Sequence, residues 1–229
     1  MNTQAANKRI RLIMELRTKG ITSTEVLSAI ERVPRDEFVP VHAQDQAWED
    51  MALPIGLGQT ISQPFVVAIM TQALDLSDRD KVLEIGTGCG YQCAVLSHLA
   101  RRVYTIERHK HLLHDAEKRL ARLKLRNITA IAADGMKGWP AINGIEQAPF
   151  DKIIVTAAAR EKPPQALLDQ IKVGGKMIIP VGEPGYQMLK LYKKESEEAY
   201  SVKDILPVRF VPLLPDVSNE VNDMAEAVN

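Results

Sequence analysis

The chain has 229 residues, of which 45% are hydrophobic and 25% are charged, and these are the values of an ordinary globular protein. They exclude a wholly disordered or collagen-like chain, and the length suits one medium-sized domain. Lysine plus arginine and aspartate plus glutamate both total 29, so no basic excess indicates a dedicated nucleic-acid binder.

Cysteine content and apolar runs favour a cytoplasmic protein. Cys89 and Cys93 are too few for a disulfide framework, and we interpret them as buried, reduced thiols. The first residues contain no apolar signal segment, and no apolar run reaches the ~18 residues that a membrane helix needs. We therefore expect a cytoplasmic location and no membrane partner.

Two short helices are predicted within the first forty residues. Apolar residues between Lys8 and Arg17 lie near helical spacing, and we interpret the basic face of this helix as solvated. The segment from Thr22 to Glu25 has the form of a capping box and opens a second helix, which Pro34 stops. Residues 34–63 have weak periodicity but hold apolar anchors, so this long segment is expected to be ordered and functional.

From Pro64 onward, helical and strand-like segments alternate. The runs VLEI, IIV and MII are continuously apolar, as in strands covered on both faces. This alternation predicts an α/β core with a mostly parallel sheet. The runs QMLKLYKK and VRFVPL predict two further strands, forming a terminal hairpin that closes the sheet.

The strongest motif is the glycine-rich turn after the strand Val82–Ile85. Gly86, Gly88 and Gly90 form GxGxG, which differs from the GxGxxG of dinucleotide sites and disfavours an NAD-dependent oxidoreductase. With Glu84 inside the preceding strand, the pattern is typical of sites for S-adenosylmethionine, whose amino and sulfonium groups are cationic. A nearby carboxylate attracts such a ligand.

Acidic residues at the next two strand ends extend this candidate site. Glu107 can accept both ribose hydroxyls of a nucleoside, and Asp134, followed by Gly135, can accept an adenine amino group. Alternatively, the glycines only form a turn, Glu107 caps a helix and Asp134-Gly135 is a β-turn. Three elements at successive strand ends favour the cofactor site, since ligands of open α/β sheets bind there.

The run from Leu53 to Pro64, which contains QTIS, resembles the signature of protein-L-isoaspartate O-methyltransferases. VLEIGTGCGYQ, Asp134-Gly135, PFDKIIVTAAA, VGGKMIIPVG and RFVPL follow in that family's order, over roughly residues 8–215. The resemblance implies a Rossmann-like class I S-adenosylmethionine-dependent methyltransferase, with a mostly parallel seven-stranded sheet, helices on both faces and a short N-terminal helical extension. We expect one domain overall: N-terminal helices and a substrate loop (1–63), the cofactor-binding core (64–217) and a flexible tail (218–229).

The implied reaction is methyl transfer from S-adenosylmethionine to the free α-carboxylate of L-isoaspartyl residues in damaged proteins and peptides. The ester then forms a succinimide without the enzyme, which initiates repair. The resemblance implies isoaspartyl-containing proteins as partners and a monomer. The balanced charge leads us to expect no nucleic-acid partner. Two alternatives stay open: a methyltransferase acting on RNA or a small molecule, and a non-catalytic methyltransferase-like binding protein.

A carboxylate acceptor is ionised at neutral pH, so the reaction needs positioning and no general base. On the resemblance, Ser62 is the catalytic residue that orients the carboxylate. The alternative for Ser62 is an N-cap hydroxyl for the helix entered at Pro64. The expected substrate-binding residues are Gln59, Thr60, Ile61, Ala158 and Val211, and the small residues from Ala157 to Ala159 are expected to line the pocket.

Two weaker patterns were weighed for other functions. His111 and His114 are three residues apart, but no further ligand at a convincing spacing completes a metal site, so we expect none. The span 101–126 holds nine basic and three acidic residues, which could contact RNA. We interpret it as the solvated face of a helix, because aromatic stacking residues are scarce there.

Overall fold

The chain folds as alternating helices and strands in the computed structural model, which describes residues 3–218, with side chains from residue 6. The α-helices are α1 (Thr3–Thr18), α2 (Thr24–Arg32), α3 (Pro64–Leu74), α4 (Tyr91–Ser97), α5 (Lys110–Arg122) and α6 (Gln165–Asp169). The strands are β1 (Leu53–Gly56), β2 (Gln59–Ile61), β3 (Lys81–Ile85), β4 (Arg102–Glu107), β5 (Ile128–Ala132), β6 (Phe150–Val155), β7 (Ile171–Val181), β8 (Gln187–Lys194) and β9 (Tyr200–Val208). Short 3-10 helices lie at Arg35–Phe38, Val41–Gln46 and Gly135–Lys137.

A mostly parallel sheet forms the centre of the molecule. Its seven strands have the order β5-β4-β3-β6-β7-β8-β9. The first five strands in this order pair in parallel. The last two, β8 and β9, are antiparallel to their neighbours. The expected Rossmann-like α/β fold is therefore confirmed, with the carboxyl ends of β3, β4, β5 and β6 meeting at one edge.

Each face of the sheet is covered by its own hydrophobic cluster. On one face, Val82 and Val103 pack with apolar residues of α1 to α4. On the other, Leu83 and Ile85 pack with Trp139 and with residues of β7 and α6. Because β3 sends alternate side chains to the two faces, it must be apolar along nearly its whole length. This confirms the expectation of helices on both faces.

The N-terminal region caps α2 differently from the prediction. Ser23, not Thr22, is the N-cap residue, and its hydroxyl accepts the backbone N–H of Val26 at 3.2 Å. The N–H groups of Thr22 and Ser23 are instead bound by the side-chain oxygen of Gln72 in α3, at 2.7 and 2.9 Å. Tertiary contact with α3 thus fixes the turn that the local pattern alone misplaced by one residue.

The segment before α3 is ordered, although it contains little regular structure. Two 3-10 helices lead into β1 and β2, which form a small antiparallel hairpin separate from the main sheet. At this hairpin, a methyl of Ile55 lies near the glycine loop: a Cβ built on Gly88 would be 3.5 Å from Ile55 Cδ1. The hairpin is therefore placed beside the carboxyl edge of the sheet.

The prediction for the last strand was wrong. The run QMLKLYKK forms β8, but its partner β9 is Tyr200–Val208, and VRFVPL lies almost wholly beyond it. VRFVPL instead crosses the sheet edge beside Ala158, whose N–H donates to Val211 and whose carbonyl accepts from Leu213, both at 2.8 Å. β9 is a largely exposed edge strand, so it lacks the apolar run expected of a strand, whereas VRFVPL is apolar because it lines a cleft.

The predicted flexible tail begins at Ser218, and its residues 219–229 lie outside the described part of the chain. Ser218 itself is buried, and its N–H donates to the carbonyl of Arg108 at 3.0 Å. The chain therefore stays bound to the carboxyl edge of β4 up to this residue.

Candidate active site

A cleft of about 610 Å³ lies at the carboxyl edge of the sheet. Four segments form most of its lining: the end of β2 with the start of α3, the glycine loop, residues 106–109, and residues 206–214. Gly135, Thr156 and Ala157 also contribute. The size is within the range of pockets that hold a small-molecule cofactor. The sequence-predicted residues among its lining are Gln59, Thr60, Ile61, Ser62, Gly86, Gly88, Glu107, Gly135 and Val211.

The glycine loop shows why a side chain cannot stand at Gly86. Its φ is +95°, and a Cβ placed there would lie 2.3 Å from Thr156 Oγ1. The Thr156 hydroxyl bonds the carbonyls of Ile85 and Gly86 at 3.0 and 2.7 Å. The end of β6 thus holds the loop backbone against the cleft, where only a glycine fits.

Glu107 presents its carboxylate at the end of β4. Oε2 accepts the N–H of Gly88 at 2.8 Å, and Oε1 accepts the N–H of His109 at 2.9 Å. The residue is 5% exposed and lines the cleft. Each oxygen retains a second lone pair, so a carboxylate held in this way can accept two neighbouring hydroxyls of a ribose.

Glu84 does not line the cleft, contrary to its predicted position. It is fully buried beneath the loop on the side of α4, and its Oε2 accepts the hydroxyl of Thr105 at 2.5 Å. The Thr105 hydroxyl is in turn 2.6 Å from that of Thr87 in the glycine loop. Burial raises the pKa of Glu84 to about 8, against the opposing hydrogen bonds of Thr105 and Cys93. The residue supports the loop from behind.

Of two other predicted glycines, Gly90 serves helix packing and Gly135 lines the cleft. At Gly90, with φ +90°, a Cβ would lie 3.2 Å from Ala116 Cβ of α5, so this glycine permits close packing at the start of α4 and does not line the cleft. Gly135 does line the cleft, and a Cβ there would lie 2.4 Å from Ile85 Cγ2. Both need glycine, but only the second borders the cleft.

Asp134 lies beside the cleft and is engaged by its own turn. Oδ1 accepts the N–H of Met136 at 2.9 Å, and Oδ2 lies 3.2 Å from Nζ of Lys137. Burial acts to raise the pKa of Asp134, but the N–H groups of Asp216 and Met136 and the Lys137 ammonium outweigh it and lower the pKa. The aspartate is therefore held as an anion, in a carboxylate form that can accept an amino group.

Ser62 is half-buried and lines the cleft between β2 and α3. Its hydroxyl makes no hydrogen bond to any residue in the described range, 3–218. The alternative role as a helix cap is wrong, because the N-cap residue of α3 is Gln63. The first turn of α3 is bound instead by Asp50, whose Oδ1 accepts the N–H of Phe65 at 2.7 Å. The hydroxyl of Ser62 is thus left available to a ligand.

The remaining predicted substrate residues fall into two groups. Gln59, Thr60 and Ile61 line the same wall as Ser62, whereas Val211 lines the wall formed by the segment after β9. Ala158 is buried and does not line the cleft; its backbone holds the segment of Val211 in place. Of the run from Ala157 to Ala159, which was expected at the pocket, Ala157 lines the cleft and Ala159 does not.

Two buried polar residues near this wall were missed by the sequence reasoning. Arg35 donates to the carbonyl of Ser62, and Asp50 binds the start of α3. Both contacts join positions far apart in the chain, and no local periodicity marks them. A signal did exist, since each lies within the long segment whose apolar anchors indicated order.

Two kinds of feature are not found among the residues that the structure describes. No helix there has the length and apolar character to cross a membrane. No group of three or more His, Cys, Asp or Glu side chains is arranged to hold a metal ion. His111 lies 3.7 Å from Asp115, one turn along α5.

Comparison with known sequences identifies the family. The model of the protein-L-isoaspartate(D-aspartate) O-methyltransferase family matches residues 7–218. The protein-L-isoaspartate O-methyltransferase of Rhodospirillum centenum is 55% identical over 215 residues, covering 94% of this chain and 95% of the relative. That of Rhodospirillum rubrum is 57% identical over 210 residues, covering 91% and 93%.

Solved structures agree with these relatives. One protein-L-isoaspartate O-methyltransferase superposes with a TM-score of 0.81 at 28% identity, covering 95% of this chain and 69% of that one. A putative Plasmodium falciparum protein-L-isoaspartate O-methyltransferase, solved in complex with S-adenosyl-L-homocysteine, superposes with a TM-score of 0.76. It covers 89% of this chain and 97% of its own, and at 24% identity it bears on the fold alone. The chain belongs to the protein-L-isoaspartate(D-aspartate) O-methyltransferase family.

Proposed function

We propose that this chain methylates the free α-carboxylate of L-isoaspartyl residues in damaged proteins and peptides, using S-adenosylmethionine. One observation carries the proposal: the available hydroxyl of Ser62 and the carboxylate of Glu107 line a single cleft, in a member of this family. The methyl ester then cyclises to a succinimide and hydrolyses in part to a normal aspartyl linkage. The biological role is protein repair.

The residues at the sheet edge fit the cofactor. The backbone of Gly86, Gly88 and Gly135 borders the cleft where a Cβ would collide or fill space, and Glu107 offers two acceptor oxygens. Asp134 accepts the adenine amino group beside them. When bound, S-adenosylmethionine supplies an electrophilic methyl group and leaves as S-adenosylhomocysteine.

The chain's own residues position the acceptor and do not deprotonate it. An isoaspartyl carboxylate is ionised at neutral pH, so its oxygen is already a nucleophile. Ser62 donates its hydroxyl to one carboxylate oxygen, with Thr60 in support, and leaves the other oxygen free to attack. A neutral donor suits this purpose, because a stronger charge-assisted bond would lower the nucleophilicity of the carboxylate.

The wall after β9 excludes water and accommodates the peptide. Phe210, Val211 and Leu213 line the cleft from this side, and the small Ala157 leaves room for a substrate backbone. Water exclusion strengthens the contacts that hold the carboxylate and prevents loss of the methyl group to solvent. Gln59 and Ile61 complete the opposite wall.

Methyl transfer to matched peptides tests this proposal. Labelled S-adenosylmethionine is incubated with an L-isoaspartyl peptide and its aspartyl counterpart, and we expect base-labile label on the first only. Ser62→Ala should lower kcat about 10- to 100-fold, since a hydrogen bond to a charged group is lost, with little change in S-adenosylhomocysteine affinity. Ser196→Ala, at an exposed turn, is the matched control.

The same assay decides between the alternatives. Label on RNA or a small molecule, and on neither peptide, would replace isoaspartate as the acceptor. Binding of S-adenosylhomocysteine without transfer to any acceptor would indicate a non-catalytic binding protein. Full turnover by Ser62→Ala would remove the catalytic assignment while leaving the reaction in place.

We also propose that the enzyme is a cytoplasmic monomer without a nucleic-acid partner, in which residues 1–63 and 64–217 form one domain. The free, buried thiols of Cys89 and Cys93 suit a reducing compartment. Hydrophobic residues of α1 and α2 share a cluster with those of α3 and α4, which supports one domain. Light scattering gives the molar mass of the purified protein and so tests whether it is a monomer.

A further inference from the structure

Arg35 is a fully buried arginine at the start of a 3-10 helix, and it forms no ion pair with any described residue. Charged side chains are rarely buried to this degree unless they are paired. Burial lowers the pKa of the guanidinium, but arginine remains protonated in proteins at neutral pH. Such a residue needs another reason for its place in the core.

The guanidinium binds three carbonyls of the loop that leads to Ser62. Nε donates to Ala47 at 2.9 Å, and Nη2 donates to Ser62 at 2.8 Å and to Met51 at a longer 3.4 Å. These carbonyls come from points spread over the irregular segment between the second 3-10 helix and α3. One rigid, planar group therefore fixes a loop that has little regular structure of its own.

The same guanidinium also contacts the start of α4, next to the glycine loop. Its central carbon lies 4.7 Å from the ring centroid of Tyr91, a cation–π contact. Tyr91 is the first residue of α4, directly after the glycine loop, and its ring packs edge-on against Phe38 at 5.5 Å. Tyr91 and Ser62 both line the cleft. Arg35 is thus bonded to the Ser62 segment and stacked on the residue that follows the glycine loop.

We propose that Arg35 is a positioning residue that sets the placement of Ser62 relative to the cofactor loop. The inference rests on the proposed function, in which Ser62 holds the acceptor carboxylate. In-line methyl transfer depends steeply on the separation and angle of the reacting atoms, and a displacement of about 1 Å can cost 100-fold in rate. A residue that joins the Ser62 segment to Tyr91 in this way acts on kcat and leaves cofactor affinity unchanged.

The first test is kinetic. Arg35→Lys keeps the charge but cannot reach the same carbonyls with a planar fork, and Arg35→Gln buries no charge at all. Each variant should lose about 10- to 100-fold in kcat on the isoaspartyl peptide, while the Kd for S-adenosylhomocysteine by calorimetry stays within about twofold. Arg32→Lys, at an exposed position of α2, is the matched control and should retain full turnover.

Two further measurements separate positioning from a merely structural role. In a Ser62→Ala background, Arg35→Lys should lower kcat by a smaller factor than it does in the wild type, because the two residues act through one contact. Hydrogen exchange should show faster exchange over residues 47–63 in the Arg35 variants, with protection of β3 to β6 unchanged. This second readout does not depend on turnover.

Four results would overturn the proposal. Unchanged kcat in folded Arg35 variants, or losses that follow S-adenosylhomocysteine affinity, would remove the positioning role while the proposed function stands. If the fold-reduction in kcat of the double variant equals the product of the two single reductions, Arg35 does not act through Ser62. A wild-type protein that binds S-adenosylhomocysteine but leaves the isoaspartyl peptide unmethylated would overturn the proposed function and this inference together.

Discussion

The carboxylate of Glu107 and the backbone N–H of Gly88 are joined by a hydrogen bond of 2.8 Å, which connects the end of β4 to the glycine loop. The other oxygen of Glu107 accepts the N–H of His109 at 2.9 Å. The carboxylate is therefore fixed before a ligand arrives. A ribose that binds Glu107 is placed relative to the loop, because both belong to one hydrogen-bonded unit.

Glu107→Gln should weaken cofactor binding. The amide has one acceptor oxygen in place of two, so its NH₂ group faces either the N–H of Gly88 or that of His109. We expect the Kd for S-adenosylhomocysteine to rise about 10- to 100-fold, in line with the loss of hydrogen bonds to a charged group. Isothermal titration calorimetry measures this directly.

The control for this prediction is Glu117→Gln, at an exposed position of α5. It removes the same charge from the protein without touching the cleft, and it should bind S-adenosylhomocysteine as the wild type does. Equal affinity in Glu107→Gln and Glu117→Gln would show that Glu107 does not hold the nucleoside.

Gly86→Ala and Gly20→Ala form a matched pair. The φ angles are nearly equal, +95° and +99°, but a Cβ at Gly86 would lie 2.3 Å from Thr156 Oγ1, whereas nothing lies within 4 Å at Gly20. Gly20→Ala should cost about 1–3 kcal/mol of backbone strain and leave cofactor binding intact. Gly86→Ala should cost more and abolish S-adenosylhomocysteine binding, because Thr156 and the loop must separate.

Urea unfolding and calorimetry on both variants check this comparison. Equal losses of stability, with cofactor affinity retained in Gly86→Ala, would show that backbone strain alone explains the need for glycine at this position.

The cofactor edge of the site was predictable because its signals are local. Each of β3, β4 and β5 is followed directly by its functional element, and a parallel sheet brings such strand ends together. The structure accordingly brings Gly86, Glu107 and Gly135 together at one cleft, and their role toward the cofactor stays a prediction. Glu84 was misplaced because alternate residues of a strand face opposite sides, and its side chain points to α4 and not to the cleft.

The substrate side depended on contacts that no local pattern encodes. Arg35 reaches Ser62 across 27 positions, and Asp50 reaches Phe65 across 15. In the sequence, a buried arginine is indistinguishable from an exposed one. β9 was missed for the opposite reason, since an exposed edge strand carries polar residues that resemble a loop. Recognition of QTIS, and not periodicity, indicated Ser62.

Asp50→Ala should destabilise the protein and slow turnover. The carboxylate is 3% exposed, binds the N–H of Phe65 in the first turn of α3, and lies 2.6 Å from Nζ of Lys19. Its loss leaves that N–H without an acceptor, whereas the side chain of Gln63 keeps its bond to the backbone carbonyl of residue 50. We expect a loss of about 2–4 kcal/mol in the free energy of unfolding, and a lower kcat because Ser62 directly precedes this turn.

Asp45→Ala is the matched control, since that carboxylate is exposed and only its backbone carbonyl binds a neighbour, Lys8 at 2.7 Å. Denaturant unfolding and peptide kinetics at a temperature well below Tm measure both effects. If Asp50→Ala and Asp45→Ala were equally stable, the cap assigned to Asp50 would be wrong.

The buried carboxyl of Glu84 should make the stability of the protein depend on pH. It is fully buried, its pKa in the folded protein is raised to about 8 by burial, and its ordinary value is 4.5. The groups that face it are the hydroxyl of Thr105, the thiol of Cys93 and, at longer range, the carboxylate of Glu107. Because the folded state binds the proton more tightly, this contribution to stability is complete below pH 4.5 and is lost as the pH rises through about 8.

Glu84→Gln isolates this effect, because the neutral amide has the shape of the protonated carboxyl and does not titrate. The wild type should lose about 2–3 kcal/mol relative to Glu84→Gln between about pH 5.5 and pH 8, at 1.36 kcal/mol for each pH unit in which the folded state alone holds the proton. Urea unfolding of both proteins at several pH values gives the difference in their free energies of unfolding, in which the contributions of the other titrating groups cancel.

The control is Glu117→Gln, whose difference from the wild type in the free energy of unfolding should stay constant over this range. The same constancy in Glu84→Gln would mean that Glu84 is ionised in the folded protein, and that the chain from Glu84 through Thr105 to Thr87 carries a buried charge to the base of the glycine loop.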